Sequence, residues 1–110
     1  MVQPATQFAA LSDLTRCRIV GLLNERSRPV HELATAFEIS RPAVSRHLRL
    51  LKQAGLVVEE RHGREHVYSL QRQSLKALSG WLEPYWSDRP AGLKKMAEVP
   101  VFESEMEADL

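Results

Sequence analysis

Residues Ile39 to Leu56 read ISRPAVSRHLRLLKQAGL. At about 100° per residue, Val44, Leu48 and Leu51 fall on one side of a helix. Arg46, Arg49 and Gln53 fall on the other side, with Ser45 on the flank. Ser40 is placed to cap this helix, and Pro42 lies in its first turn, where a missing N–H costs nothing. Gly55 follows the last turn, the position where a left-handed residue ends a helix. One side of this segment needs a core. The other, rich in guanidinium and hydroxyl groups, needs a polar partner.

Upstream, a short helix is predicted over Ala5 to Leu11, with Phe8 and Leu11 on one side. Asp13 should cap a second helix from Leu14 to about Asn24. Its apolar set is Cys17, Val20 and Leu23, widened by Ile19 and Leu22, and should be well buried. Ser27, Arg28 and Pro29 break the chain, and Val30 to Phe37 forms a brief helix with Leu33, Ala34 and Phe37 inward. Glu38 and Ile39 make the turn into the basic helix.

Downstream of Gly55 the period changes from 3.6 to 2. Leu56, Val58 and Glu60 alternate with Val57, Glu59 and Arg61, and His62, Gly63 and Arg64 turn the chain. Glu65 to Leu70 returns with His66, Tyr68 and Leu70 on one face, giving a hairpin with a basic tip. Ser74 is expected to cap a last helix running to about Trp86, with Leu75, Leu78, Trp81, Leu82 and Tyr85 as its apolar side. Gly80 and Pro84 should bend it or end it early. The expected architecture is mostly α with a β-hairpin wing: a winged helix-turn-helix of four helices, two strands and a fifth helix. It occupies residues 1–87, and 88–110 form an irregular acidic tail.

A chain of 110 residues makes one domain, and 44% apolar with 26% charged residues is ordinary for a globular protein. Neither a membrane span nor a secretion signal is expected from the apolar pattern. The single cysteine, Cys17, rules out an internal disulfide and suits a reducing cytoplasm. The net charge of +1 conceals a segregation. Residues 98–110 hold five acids and no base, so the first 97 carry +6. Between 41 and 76 there are eight bases against three acids. Such a basic middle fits a polyanion partner.

Two helices joined by a short turn, the second cationic, make a helix-turn-helix, and an α-helix fits the DNA major groove. Arginine's planar fork matches guanine O6 and N7, or a phosphate. Arg46 and Arg49 are therefore the groove candidates, with Arg41 on the same cationic helix. Ser40 and Ser45 can donate to phosphates or base edges, and the amides of residues 41–43 favour a phosphate. Arg61 and Arg64 on the wing suit phosphate contacts, which position the protein without reading sequence. His47 lies beside the core stripe, as a packing or phosphate-contacting residue. The alternative is that these arginines are solvated, or paired with Glu59, Glu60 and Glu65.

Three segments, ALSDLTRCRIVGLL (10–23), VHELATAFEISRPAVSRHLRLLKQAGLV (30–57) and REHVYSL (64–70), resemble the ArsR family of bacterial winged-helix transcription repressors. With the helix WLEPYW the resemblance covers roughly residues 5–87. It implies a homodimer on double-stranded DNA, joined through the first and last helices, here 5–11 and 74–86. Phe8, Leu11, Leu78, Trp81, Leu82, Tyr85 and Trp86 would form that interface, unless they only cover the monomer's own core. Two recognition helices about 34–36 Å apart would meet successive major grooves of an imperfect palindrome.

Many ArsR relatives release DNA on binding metal, commonly at a Cys-x-Cys on the first helix of the helix-turn-helix. The corresponding VHELATAF has no cysteine, and His31 and Glu32 point apart. A second family site uses Asp and His on the last helix, where SLKALSGWLEPYW offers only Glu83. No metal and no cofactor is therefore expected. Some relatives sense oxidants with two cysteines; Cys17 has no second, so it is read as a small buried hydrophobe or a lone modifiable thiol. An organic inducer between aromatic last helices, or a tail folding onto the basic helix, stays open, and the inducer is unknown. The competing function is a protein-interaction module using Trp81, Trp86 and the tail, without DNA. An enzyme is disfavoured: the sequence offers no carboxylate pair, activated nucleophile or phosphate loop.

Overall fold

A computed structural model describes residues 2–87. Helix α1 spans Pro4–Leu11 and α2 spans Leu14–Glu25. The Asp13 carboxylate accepts from Arg16 N at 3.0 Å and starts α2. A two-residue strand β1 (Arg28–Pro29) leads into α3 (Val30–Thr35), and α4 covers Arg41–Gln53. Strands β2 (Val57–His62) and β3 (Glu65–Leu70) precede α5 (Arg72–Leu82) and a 3₁₀ turn, Glu83–Tyr85.

The basic helix has the ends its sequence specifies. Ser40 Oγ accepts from Ala43 N at 3.2 Å. At the other end Gly55 adopts φ +74°. Gly55 N donates to Lys52 O and Leu56 N to Leu51 O, both at 3.0 Å, the paired bonds of a Schellman motif. That left-handed residue turns the chain back so that Leu56 and Val57 enter the core and start β2. Val44, Leu48 and Leu51 are wholly buried, joined by Ile19, Leu23, Leu33, Ala54 and Tyr68 in one cluster. Full burial of each such Val or Leu contributes about 1.5–3 kcal/mol, which holds α4 in a single rotation about its axis.

The hairpin pairs Val57 with Leu70, Glu59 with Tyr68 and His62 with Glu65. Its loop is only Gly63 and Arg64, with Gly63 at φ +64°, as a two-residue turn with glycine first requires. Val57 and Tyr68 are buried on the inner face, and the tip is exposed.

Several expectations need correction. The break at residues 27–29 contains a strand: Arg28 pairs with Tyr68 and Pro29 with Val67, giving a three-stranded sheet of order β1-β3-β2. Two residues are too few for a period, and Pro29 survives because β1 is an edge. Helix α3 stops at Thr35, not Phe37. Helix α5 starts at Arg72, so Ser74 lies inside it; Ser74 N and Leu75 N donate to Gln71 O instead. It ends at Leu82, before Pro84, whose ring cannot continue the ladder. Cys17 is exposed, because the buried face of α2 is set by Ile19 and Leu23, and a residue two positions from Ile19 points nearly opposite. In α1 the buried residues are Gln7 and Ala10, while Phe8 is exposed. Gln7 Nε2 donates to Ala54 O at 3.4 Å, tying α1 to the end of α4.

The chain divides into compact units at residues 1–75 and 76–110, a boundary inside α5. Of the second unit, Leu78 is buried and the rings of Trp81 and Tyr85 lie 5.3 Å apart. The acidic tail expected over 88–110 lies outside the described residues.

Candidate nucleic-acid interface

With Val44, Leu48 and Leu51 committed to the core, α4 turns Arg41, Ser45, Arg46 and Arg49 to solvent. Ser40 is also exposed, its hydroxyl engaged as the helix cap while one donor hydrogen stays available. The wing adds Arg61 and Arg64, both exposed. Arg61 Nε donates to Gly63 O at 3.1 Å, which ties the side chain to the turn and leaves its two terminal nitrogens out of that bond.

The acids that could neutralise these arginines are held elsewhere. Glu59 accepts from Lys52 Nζ at 3.0 Å and lies 2.7 Å from His66 Nδ1. Glu60 meets His62 at 3.1 Å, and Glu65 meets His31 Nε2 at 2.8 Å. Among the described residues no ion pair involves Arg41, Arg46, Arg49, Arg61 or Arg64. The Lys52 ammonium, then the Tyr68 hydroxyl and His66, hold the Glu59 carboxyl below its ordinary value. Burial first, and the Glu59 charge next, push the Tyr68 phenol up to about 12. The root of the wing is thus a fixed polar joint, and its tip is an open cationic end.

His47 stands apart from the other candidates. It is half-buried, with Nδ1 3.1 Å from Arg16 Nη1 and 3.8 Å from Asp13 Oδ2. Arg16 also donates through Nε to Ala10 O at 2.6 Å. One guanidinium therefore joins the end of α1, the start of α2 and the flank of α4. Sequence reading recognised Asp13 as a cap but missed Arg16, since a contact spanning 31 positions leaves no periodic signal. His31 is a second such case, its partner Glu65 lying 34 positions away on the wing.

Of the residues expected at a dimer interface, Phe8, Trp81, Tyr85 and Trp86 are exposed, Trp86 at 62%. Leu11 and Leu82 are half-buried, and Leu78 is already buried within the chain. Cys17 Sγ donates to Leu11 O at 3.0 Å. No cluster of three or more metal-ligating side chains occurs among the described residues, and none of their helices is long and apolar enough to cross a membrane.

Comparison with known proteins supplies the frame for this geometry. Residues 13–58 match the model of the bacterial regulatory proteins of the arsR family. An HTH-type transcriptional regulator of Mycobacterium tuberculosis is 38% identical over 95 residues, covering 86% of this chain and 89% of that protein. The transcriptional repressor SdpR of Bacillus subtilis is 37% identical over 75 residues, covering 68% of this chain and 83% of the repressor. The solution structure of a homodimeric winged helix-turn-helix DNA-binding domain from Mycobacterium bovis superposes with a TM-score of 0.62 at 29% identity, covering 68% of this chain and 70% of that one. Family match, extended identity and shared fold agree: this chain belongs to the ArsR family of bacterial regulatory proteins, which are transcriptional regulators and not enzymes.

Proposed function

We propose that the protein is a transcriptional repressor that binds double-stranded DNA as a homodimer, in the cytoplasm, on an imperfectly palindromic operator. Helix α4 enters the major groove, where Arg46 and Arg49 reach base edges and Ser40, Arg41 and Ser45 meet the flanking backbone. His47, Arg61 and Arg64 contact phosphates. The observation that carries this reading is the set of exposed guanidinium groups on α4 and the wing, without ion-pair partners among the described residues, opposite a wholly buried Val44, Leu48 and Leu51. A surface needed only for solubility has no reason to leave those charges unpaired while the nearby carboxylates take lysine and histidine partners.

Dimerisation through the exposed Phe8, Trp81, Tyr85 and Trp86, with Leu11 and Leu82 completing the contact, covers aromatic surface that is costly in water. It also sets two recognition helices on successive grooves. The exposed tryptophans are the one observation that favours the second reading, a protein-interaction module. A mobility shift on the duplex upstream of the protein's own coding sequence, at two salt concentrations, separates the two. A shift that weakens with salt and is lost with Arg46→Ala plus Arg49→Ala is expected. Binding that survives both substitutions refutes the residue assignment, and no binding at low salt leaves the protein-interaction module.

A further inference from the structure

We infer that Arg16 is a positioning residue for DNA binding, which fixes His47 so that its Nε2–H is presented to a backbone phosphate. This rests on the DNA-binding reading above. A guanidinium has donors only and is always charged. Arg16 Nη1 at 3.1 Å from Nδ1 therefore makes Nδ1 an acceptor, which in the neutral ring places the proton on Nε2. Asp13 Oδ2, at 3.8 Å from Nδ1, is beyond hydrogen-bond reach. Its carboxylate instead accepts from Arg16 N at 3.0 Å and holds the first turn of α2 in place. Arg16 is itself held at both ends, by Ala10 O at 2.6 Å and by the imidazole.

The Nε2 side is not sealed. Among the described residues no buried side-chain nitrogen lacks a hydrogen-bond partner. His47 makes its hydrogen bond through Nδ1, so its other nitrogen is not fully buried. It lies on the flank of α4 next to Arg46, so a duplex lying along that helix passes within reach. A ring whose orientation is fixed from behind by a clamped arginine loses little rotamer freedom on contact. The arrangement also couples the end of α1, through Ala10 O, to the recognition helix.

The test uses amide side chains as mimics of the two ring nitrogens. The Gln amide nitrogen lies where Nε2 was, and the Asn amide reaches only the Nδ1 position. Binding to a mixed-sequence DNA duplex at low salt is the readout, since a phosphate contact is independent of sequence. His47→Asn, which loses the outward donor, should weaken binding about fivefold to tenfold, and His47→Gln, which keeps that donor but not the acceptor for Arg16, only about twofold to threefold. Arg16→Lys keeps the charge but cannot hold Ala10 O and His47 Nδ1 together, and should match the Gln variant. The double variant Arg16→Lys with His47→Asn should bind no worse than His47→Asn alone. Nitrogen-15 spectra of the unbound protein should show His47 protonated at Nε2 only, whatever its fate with DNA. Equal affinity of the Asn and Gln variants, additive losses, or a proton on Nδ1 overturns the inference while leaving DNA binding intact. Failure of the wild type to bind any duplex overturns the proposed function and this inference with it.

Discussion

Replacing Arg61 and Arg64 by alanine tests the division of labour between wing and helix. Both side chains are exposed, and Glu59, Glu60 and Glu65 are held by Lys52 and His66, by His62 and by His31. On the proposed reading each wing offers two guanidinium groups to phosphate, four in a dimer. With Arg41 as a third contact per protomer, such a dimer would neutralise about six phosphates, each adding about 0.9 to the slope of log affinity against log salt. The expected slope is about −5 for the wild type and about −2 for the double variant. Raising salt from about 50 to about 200 mM should cost the wild type about a thousandfold in affinity and the variant only about tenfold. Fluorescence anisotropy with one labelled duplex across a salt series measures both slopes, and circular dichroism confirms that the variant folds. The preference among duplex sequences should be unchanged, because phosphate contacts carry no base information. Identical slopes, or a lost sequence preference with an unchanged slope, refute the assignment of the wing to the backbone.

Other substitutions probe the scaffold that aims the arginines. Leu48→Ala empties a wholly buried position and should cost about 2–5 kcal/mol in urea unfolding; a loss below this range means that the core closes over the gap. Gly55→Ala forces a side chain into φ +74° and puts a Cβ 3.3 Å from Val2 Cγ2, so about 1–2 kcal/mol should be lost. An unchanged urea midpoint would show that the turn relaxes. Tyr68 supplies an alkaline test. Its folded value, about 12, lies above the ordinary 10.0, so its contribution is intact below pH 10 and is lost as pH rises toward 12. Tyr68→Phe should flatten the stability profile across that window, and parallel profiles would place the effect elsewhere.

Much of this protein was legible in one dimension because its signals are local. The two faces of α4, the Ser40 cap, the Gly55 terminator and the period change into the hairpin all depend on neighbours within a few residues. The sign and exposure of Arg46 and Arg49 followed from the same wheel, once Val44, Leu48 and Leu51 were assigned inward. What was missed depends on distance along the chain. Strand β1 exists only because β3 passes beside Arg28 and Pro29, some forty residues later. Cys17 belongs to the apolar stripe by spelling, yet the rotation of α2 was decided by where Ile19 and Leu23 found the core. The Arg16–His47 bond and the carboxylates' choice of Lys52, His31, His62 and His66 were likewise settled by packing. Sequence alone determined that a helix with one apolar and one cationic face would form. Only the tertiary structure decided which of its charges stay unpaired, because ion-pair and hydrogen-bond partners are chosen by proximity in space, which local periodicity does not encode.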